Sequence, residues 1–157
     1  MFYQYNNHNN NNYRGYNKNY INFSNNHKTH DEIHLKDEYK IKTYSVDGKI
    51  DPNLIDEKTK NIAEFFSKQK LTYTQLRSFY GECLTYKDLK YEDLKGRLIL
   101  MKAKIAYAKG RKTITQEFYE FMENRINCIK TKEDFDFFLM HFMALVGYFK
   151  YFTKDKE

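Results

Sequence analysis

Apolar positions from residue 51 onward repeat at helical spacing. Apolar side chains recur three and four residues apart in five successive stretches, and the only proline, Pro52, stands at the start of the first one. This spacing makes one face of a helix apolar, and proline suits a first helical turn. The pattern predicts an all-α fold, a small bundle of about five helices.

The five predicted helices are separated by short breaks. The first carries an apolar face and ends near Lys68 to Lys70, and the second begins at a cap on Thr72 or Thr74. The third runs from about 90 to 109 with Gly110 as its C-cap, the fourth from 115 to 129, and the fifth from 134 to about 152. The residues expected to face inward on the first two are Ile55, Ile62, Phe65, Phe66, Leu76, Phe79, Tyr80, Cys83 and Leu84.

The last helix is apolar on two faces. One seam consists of Phe135, Phe138, Leu139, Phe142, Leu145, Val146 and Phe149. A second stripe consists of Phe137, Met140, Ala144, Tyr148 and Tyr151. A helix that is apolar nearly all round needs cover on both sides. It is therefore the central core helix, or it also contacts a partner chain, or both.

The third helix is cationic. From Leu94 to Gln116 the chain has seven Lys or Arg residues and no carboxylate. An apolar seam is flanked by two rows with a spacing of seven residues: Arg97, Lys104 and Arg111 on one border, Lys95, Lys102 and Lys109 on the other. Such rows can follow a phosphate backbone, but a Lys-rich face can also simply keep a surface solvated. The missing acids bring RNA binding level with solvation as an interpretation, because solvating faces usually mix both signs.

The first fifty residues have a different composition. Eleven of the first 26 residues are Asn, with few aliphatic residues, which predicts disorder. Residues 39 to 50 either form a hairpin around Asp47 and Gly48 or remain extended. We predict a low-complexity segment at 1–50 and a helical bundle domain at 51–157. A cluster of His27, His30 and His34 matches no strong ligand pattern, so we expect no metal.

Charge and composition exclude several classes of protein. The chain has 157 residues and a net charge of +6, and no uncharged apolar run approaches the roughly 20 residues that cross a bilayer. The N-terminus lacks a signal-peptide core, so the sequence predicts a cytoplasmic protein without membrane association. Cys83 and Cys128 are far apart and are expected to be buried thiols, with neither a disulfide nor zinc. We expect no cofactor.

Three ordered motifs resemble a known family. The segments LTYTQLRSFYGE, MKAKIAYAKGR and FLMHFMALVGYFKYF are similar to motifs of the small helical subunit of type III-A CRISPR effector complexes, the Csm type. The resemblance covers roughly Leu71 to Phe152. Two positions depart from the family pattern, with Met143 where the family usually has Glu and Gly147 where it has Ala. The residues that match the motifs are Arg77, Tyr80, Lys104, Tyr107, Gly110, Arg111, Ala144, Val146, Tyr148 and Lys150.

The resemblance implies a non-catalytic role in antiviral defence. Family members stack along the guide RNA and its paired target and support the duplex through its backbone, while other subunits cleave RNA. The implied partners are crRNA, target RNA, other Csm subunits and further copies of this chain, with a homodimer possible in isolation. Lys104 and Arg111 would contact phosphates, with Arg77 and Lys102 as neighbours. Tyr107 would pack on a sugar or on an adjacent helix, with packing in the core as the favoured alternative.

Two rival functions remain open. The sequence has no G-x-S-x-G, P-loop, H-E-x-x-H or Arg-x4-6-His nuclease-type motif. His141, in the aromatic last helix, is expected to be a hydrogen-bonded or semi-exposed side chain rather than a general base. We therefore expect no enzyme activity. The stronger rival is a protein-only helical adaptor that uses the aromatic C-terminal helix as its interaction face.

Overall fold

Five α-helices make up most of residues 34–153, the part of the chain that the computed structural model describes. The helices are α1 Glu57–Ser67, α2 Tyr73–Leu84, α3 Tyr91–Gly110, α4 Gln116–Asn127 and α5 Lys132–Thr153. They are preceded by 3-10 turns at Asp37–Tyr39 and Pro52–Leu54 and by a hairpin of β1 Ser45–Val46 and β2 Lys49–Ile50. The predicted all-α fold with about five helices is confirmed. The Asn-rich stretch lies outside the described residues.

Local capping explains where three of the helices begin. At α2 the Thr72 hydroxyl accepts from the Gln75 amide at 3.2 Å and the Gln75 side chain accepts from the Thr72 amide at 2.9 Å, a reciprocal capping box. Thr115 caps α4 through the Phe118 amide at 3.3 Å. At α5 the Thr131 hydroxyl accepts from the Asp134 amide, whose carboxylate accepts from the Thr131 amide, both at 3.0 Å. Of the two caps considered for the second helix, Thr72 is the one used.

Two element boundaries differ from the prediction. Pro52 begins a separate 3-10 turn capped by Asp51, so α1 starts only at Glu57 and Ile55 lies before it. Gly110 is still helical, and the residue with positive φ after α3 is Lys112 at +56°. A C-cap at Gly110 was therefore wrong, because the left-handed conformation that glycine favours occurs two residues later.

The core is centred on α5. This helix packs most extensively against α1 and next against α2, while α3 packs against α4. Six of the seven residues predicted for its inner seam are buried, but Val146 is only half-buried. Leu84 on α2 was expected inside and is 41% exposed. Within residues 34–153 no helix is long and apolar enough to cross a membrane.

Residues 34–50 pack onto the helices although they contain no α-helix. Asp47 and Gly48 have φ of +51° and +71°, which suits the two-residue hairpin between β1 and β2, so the hairpin alternative is confirmed. Leu35, Ile41 and Tyr44 are buried. The sequence places this range in the low-complexity segment. In the structure, partners on α4 more than 80 residues away hold Leu35, Ile41 and Tyr44.

Phe142 tests the position of the core seam. Its side chain is 1% exposed, and its ring centroid lies 5.6 Å from that of Tyr80 and 5.5 Å from that of Phe138. Truncation would leave a cavity, so we expect Phe142→Ala to lower the free energy of unfolding by about 3 to 5 kcal/mol. Urea unfolding measures this loss. Met143→Ala, at an adjacent position that is 58% exposed, is the control and should stay within about 0.5 kcal/mol of the parent. Equal effects of the two changes would contradict this orientation of α5.

Candidate nucleic-acid interface

The inner side of α3 is a narrow apolar stripe. Leu94, Leu98, Met101 and Ile105 are buried, as the periodicity predicts, and Ala108 is half-buried. The remaining circumference of the helix therefore faces solvent or the flanks of α2 and α4. All the cationic side chains of α3 lie on this outer part.

One flank of α3 carries the first cationic row, Arg97, Lys104 and Arg111, and all three residues are exposed. Successive members are seven residues apart, so each lies about 10 Å further along the helix on nearly the same side. Lys104 forms an ion pair with Glu82 on α2. The Arg111 guanidinium carbon lies 5.7 Å from the centroid of the Tyr107 ring, within the range of a cation–π contact.

The second row, Lys95, Lys102 and Lys109, occupies the other flank. The Lys102 ammonium donates to the side-chain oxygen of Asn127 at the end of α4. The Lys95 nitrogen lies 4.6 Å from the centroid of the Tyr91 ring. Since Lys102 contacts α4 and Lys104 contacts α2, the two rows point to opposite sides of α3.

Large apolar side chains lie between the two rows. Ile99, Leu100 and Tyr107 are all more than half exposed on the outer face of α3. Tyr107 is 66% exposed, so the alternative of core packing for this residue was wrong. Its ring stands beside Arg111 and adds a flat contact surface to the first cationic row. We call Arg97, Leu100, Lys104, Tyr107 and Arg111 together the α3 face.

The structure brings together only part of the predicted site. Lys104, Tyr107 and Arg111 share the α3 face, whereas Lys102 lies on the opposite flank. Arg77 is exposed on α2, and among the described residues no hydrogen bond or ion pair joins it to the other four. Lys102 thus lies outside the α3 face, and Arg77 belongs to a different helix.

Sequence reasoning missed Glu82, the one carboxylate that forms an ion pair with the first row among residues 34–153. Its side chain is 27% exposed and also accepts a 2.6 Å hydrogen bond from the Tyr86 hydroxyl. Burial raises the pKa of Glu82, but the hydrogen bonds from Lys104 and Tyr86 outweigh it and hold the pKa below its ordinary value. The carboxylate is therefore charged at neutral pH. No local motif could reveal this contact, because Glu82 and Lys104 are 22 positions apart in the sequence and lie on different helices.

His141 lies in a buried polar cluster away from this face. Its Nε2 accepts from the Arg125 Nε at 3.0 Å, so the proton sits on Nδ1, which lies 2.6 Å from the Leu54 carbonyl oxygen and 2.9 Å from the Thr59 hydroxyl. Burial, followed by the charge of Arg125, lowers the pKa of His141 to about 3. The ring is fully buried with both nitrogens engaged, so it has a structural role.

A family comparison connects these helices to a known assembly. The family model for Csm2 Type III-A matches residues 49–155, about two thirds of the chain and all five helices. The chain belongs to the Csm2 family. Csm2 is the small subunit of the type III-A CRISPR Csm complex and is generally a non-catalytic, structural subunit. Comparisons with curated proteins and with solved structures gave no significant match.

The Csm2 assignment confirms the resemblance drawn from the three motifs. They lie on α2, α3 and α5, so they span both the α3 face and the core helix. At the position where the family usually has Glu, this Csm2 chain exposes the apolar side chain of Met143. The exposed surface of α5 is thus more apolar here than the family pattern implies.

The neutral state of His141 predicts a pH dependence of stability. Its pKa is about 3 in the folded chain against an ordinary 6.5, so below pH 6.5 the unfolded chain binds a proton that the folded chain does not. Proton binding to the unfolded chain lowers the free energy of unfolding, which is therefore unreduced above pH 6.5. It falls as the pH drops towards 3, by up to about 1.4 kcal/mol per pH unit. Most carboxylates stay ionised down to about pH 5, so between pH 5 and 7 they change the free energy of unfolding little and the contribution of His141 can be measured separately.

Urea unfolding at several pH values between 5 and 7 measures this dependence. We expect His141→Gln to be less stable than the parent at pH 7 but to lose less stability as the pH falls. The difference in slope is the informative quantity, because absolute stability also reflects lost packing. Parallel pH profiles for the two proteins would show that His141 titrates normally in the folded chain.

Proposed function

We propose that this Csm2 subunit lies along a guide RNA paired with its target and supports the duplex through phosphate contacts made by the α3 face. The observation that carries the proposal is a solvent-exposed row of three cations at seven-residue spacing along α3, in a stretch of chain with no carboxylate from Leu94 to Gln116. Neutralisation of RNA phosphates by such cations releases counterions and gives affinity without a preferred sequence.

The arrangement of the α3 face suits backbone support. Arg97, Lys104 and Arg111 extend over about 20 Å along one side of the helix, which matches a strand of phosphates better than a single anion. Tyr107, between the last two, can pack on a ribose, since an aromatic ring beside an arginine offers a flat surface. Lys102 and Arg77 would add phosphate contacts from other surfaces of the subunit.

Support of the duplex through its backbone requires no catalytic chemistry from the subunit. In an RNA-guided complex, base pairing between guide and target reads the sequence, so the protein needs only contacts to shape and backbone. A structural subunit with these contacts tolerates any target. Cleavage then belongs to other subunits of the complex.

We propose that the outer stripe of α5 contacts a neighbouring copy of the chain. Met140, Met143, Ala144, Gly147 and Tyr151 recur at spacings that place them on one face, and Met140, Met143 and Tyr151 are exposed. Leu84 on α2 extends the exposed apolar surface beside it. A contiguous apolar patch of this kind marks a protein contact. The same stripe supports the rival function of a protein-only adaptor, which differs in needing no RNA.

Removal of two cations tests the phosphate contacts. We expect Lys104→Ala with Arg111→Ala to weaken binding of an RNA duplex in the assembled complex, alike for every sequence. The slope of log affinity against log salt should fall by roughly two units. The control is Lys36→Ala with Lys68→Ala, which removes the same charge from a groove that Glu38, Asp51, Glu57 and Glu64 also line. An unchanged affinity and salt slope in the first variant would leave the α3 face a solvated surface and favour the adaptor.

A charge placed on the α5 stripe tests the contact between copies. We expect Met143→Lys to reduce self-association, because a neighbouring copy would have to bury an unpaired ammonium. The fold should persist, since the position is exposed and lysine favours helices. Sedimentation velocity measures the oligomeric state. Val46→Lys, at an exposed apolar position in the hairpin, is the control. If both variants associate like the parent, the stripe is not the interface.

A further inference from the structure

Lys104 differs from the other two cations of its row because a carboxylate of the same subunit already binds it. Neither Arg97 nor Arg111 forms an ion pair with any residue in the described range 34–153, whereas Lys104 pairs with Glu82. We propose that Glu82 competes with RNA phosphate for Lys104 and so limits the affinity of each subunit for the duplex. This inference rests on the proposed function of the α3 face.

The contacts show which partner moves when a phosphate binds. The Glu82 oxygen that meets Lys104 also accepts the 2.6 Å hydrogen bond from the Tyr86 hydroxyl, and Tyr86 is buried one turn further along the chain. The hydrogen bond from the buried Tyr86 therefore holds the Glu82 carboxylate in place. Lys104 is exposed and has a long flexible stem, so its ammonium can turn towards a phosphate while Glu82 keeps its bond to Tyr86.

The fixed carboxylate opposes the phosphate in two ways. It occupies one donor of the ammonium, and its negative charge remains close to any phosphate that Lys104 binds. Two unit charges about 6 Å apart repel enough, even in water, to weaken binding about three-fold, and more where solvent is excluded. No carboxylate of residues 34–153 lies within ion-pair distance of Arg97 or Arg111, so Lys104 in the middle of the row is the contact that Glu82 weakens most.

A weakened central contact has a consequence in an assembly. Contacts from several copies along one duplex combine, so an array can bind firmly although each copy alone binds weakly. A single subunit then binds RNA poorly, and firm binding requires several subunits in register. Glu82 thereby favours binding to an assembled guide–target duplex over capture of unrelated RNA by free subunits.

Glu82→Gln is the informative substitution. Glutamine keeps an oxygen that can accept from the Tyr86 hydroxyl and removes only the charge. Binding of the purified full chain to a labelled RNA duplex of about 20 base pairs, measured over a range of salt concentrations, is the readout. We expect affinity to rise about three- to five-fold and the salt slope to steepen by about one unit. Thermal melting confirms that the fold is retained.

Glu64→Gln is the matched control. Glu64 on α1 is also paired with a lysine, Lys68, at 2.7 Å, so this change adds the same net charge elsewhere on the surface. It should leave RNA binding close to that of the parent. An equal gain in both variants would mean that net charge alone is responsible and would overturn the inference.

A double-mutant comparison separates failure of the inference from failure of the proposed function. The gain from Glu82→Gln should disappear when Lys104→Ala is also present, because no phosphate is then held beside position 82. If Lys104→Ala with Arg111→Ala weakens binding but Glu82→Gln has no effect, Glu82 does not compete and only the inference fails. If none of these changes alters binding, the α3 face does not bind RNA and both fail.

Discussion

A guanidinium buried without a carboxylate constrains the whole bundle. Arg125 on α4 is fully buried, and no ion pair to it occurs among residues 34–153. Its side chain instead donates to the His141 ring, to the Asn124 side chain and, at 2.8 Å, to the Tyr39 carbonyl, while its guanidinium carbon lies 4.3 Å from the centre of the Phe121 ring. Burial lowers the pKa of Arg125 to about 10, so it stays charged at neutral pH. Each of these partners must be in place, because a buried charge that loses its hydrogen bonds costs several kcal/mol.

This constraint explains why the fold extends beyond the helices. The Tyr39 carbonyl that Arg125 needs lies in the segment before the first helix, and the same segment is held by further groups of α4. The Tyr44 hydroxyl donates to the Arg125 carbonyl at 2.8 Å, and the Asn124 amide pairs with both backbone groups of Ile41 at 3.0 Å. Glu120 accepts from the Leu35 amide at 2.8 Å. One helix face thus fixes the conformation of a chain segment that contains no α-helix.

The sequence predicts features that depend on local spacing and fails where distant elements decide. The buried stripe of α3 and the cap at Thr72 follow from periodicity and from one short motif. Val146 and Tyr107 were misjudged because a helical wheel gives the direction of a side chain but not whether another element reaches it. The hydrogen bonds of Ile41 join residues more than 80 positions apart, so no window of sequence contains them. In the candidate site the seven-residue spacing indicates the first cationic row, but Glu82 is visible only once α2 lies beside α3.

The two flanks of α3 show how one helix can separate folding from binding. Its buried stripe requires only four buried apolar residues, so the wide outer surface is free to carry cations without affecting the core. Because the chain carries no acid from Leu94 to Gln116, carboxylate partners for the cations in this stretch have to come from outside it. Lys104 therefore receives its carboxylate from α2 and Lys102 its amide from α4, and both contacts also help to orient α3 between its neighbours. Exposed ion pairs stabilise a fold only weakly, by about 0 to 1 kcal/mol, so the exchange of such a contact for a phosphate, which the proposed function requires, would leave α3 in place. A helix that is anchored by apolar packing and only lightly restrained by polar contacts can bind an anionic strand without a change of fold.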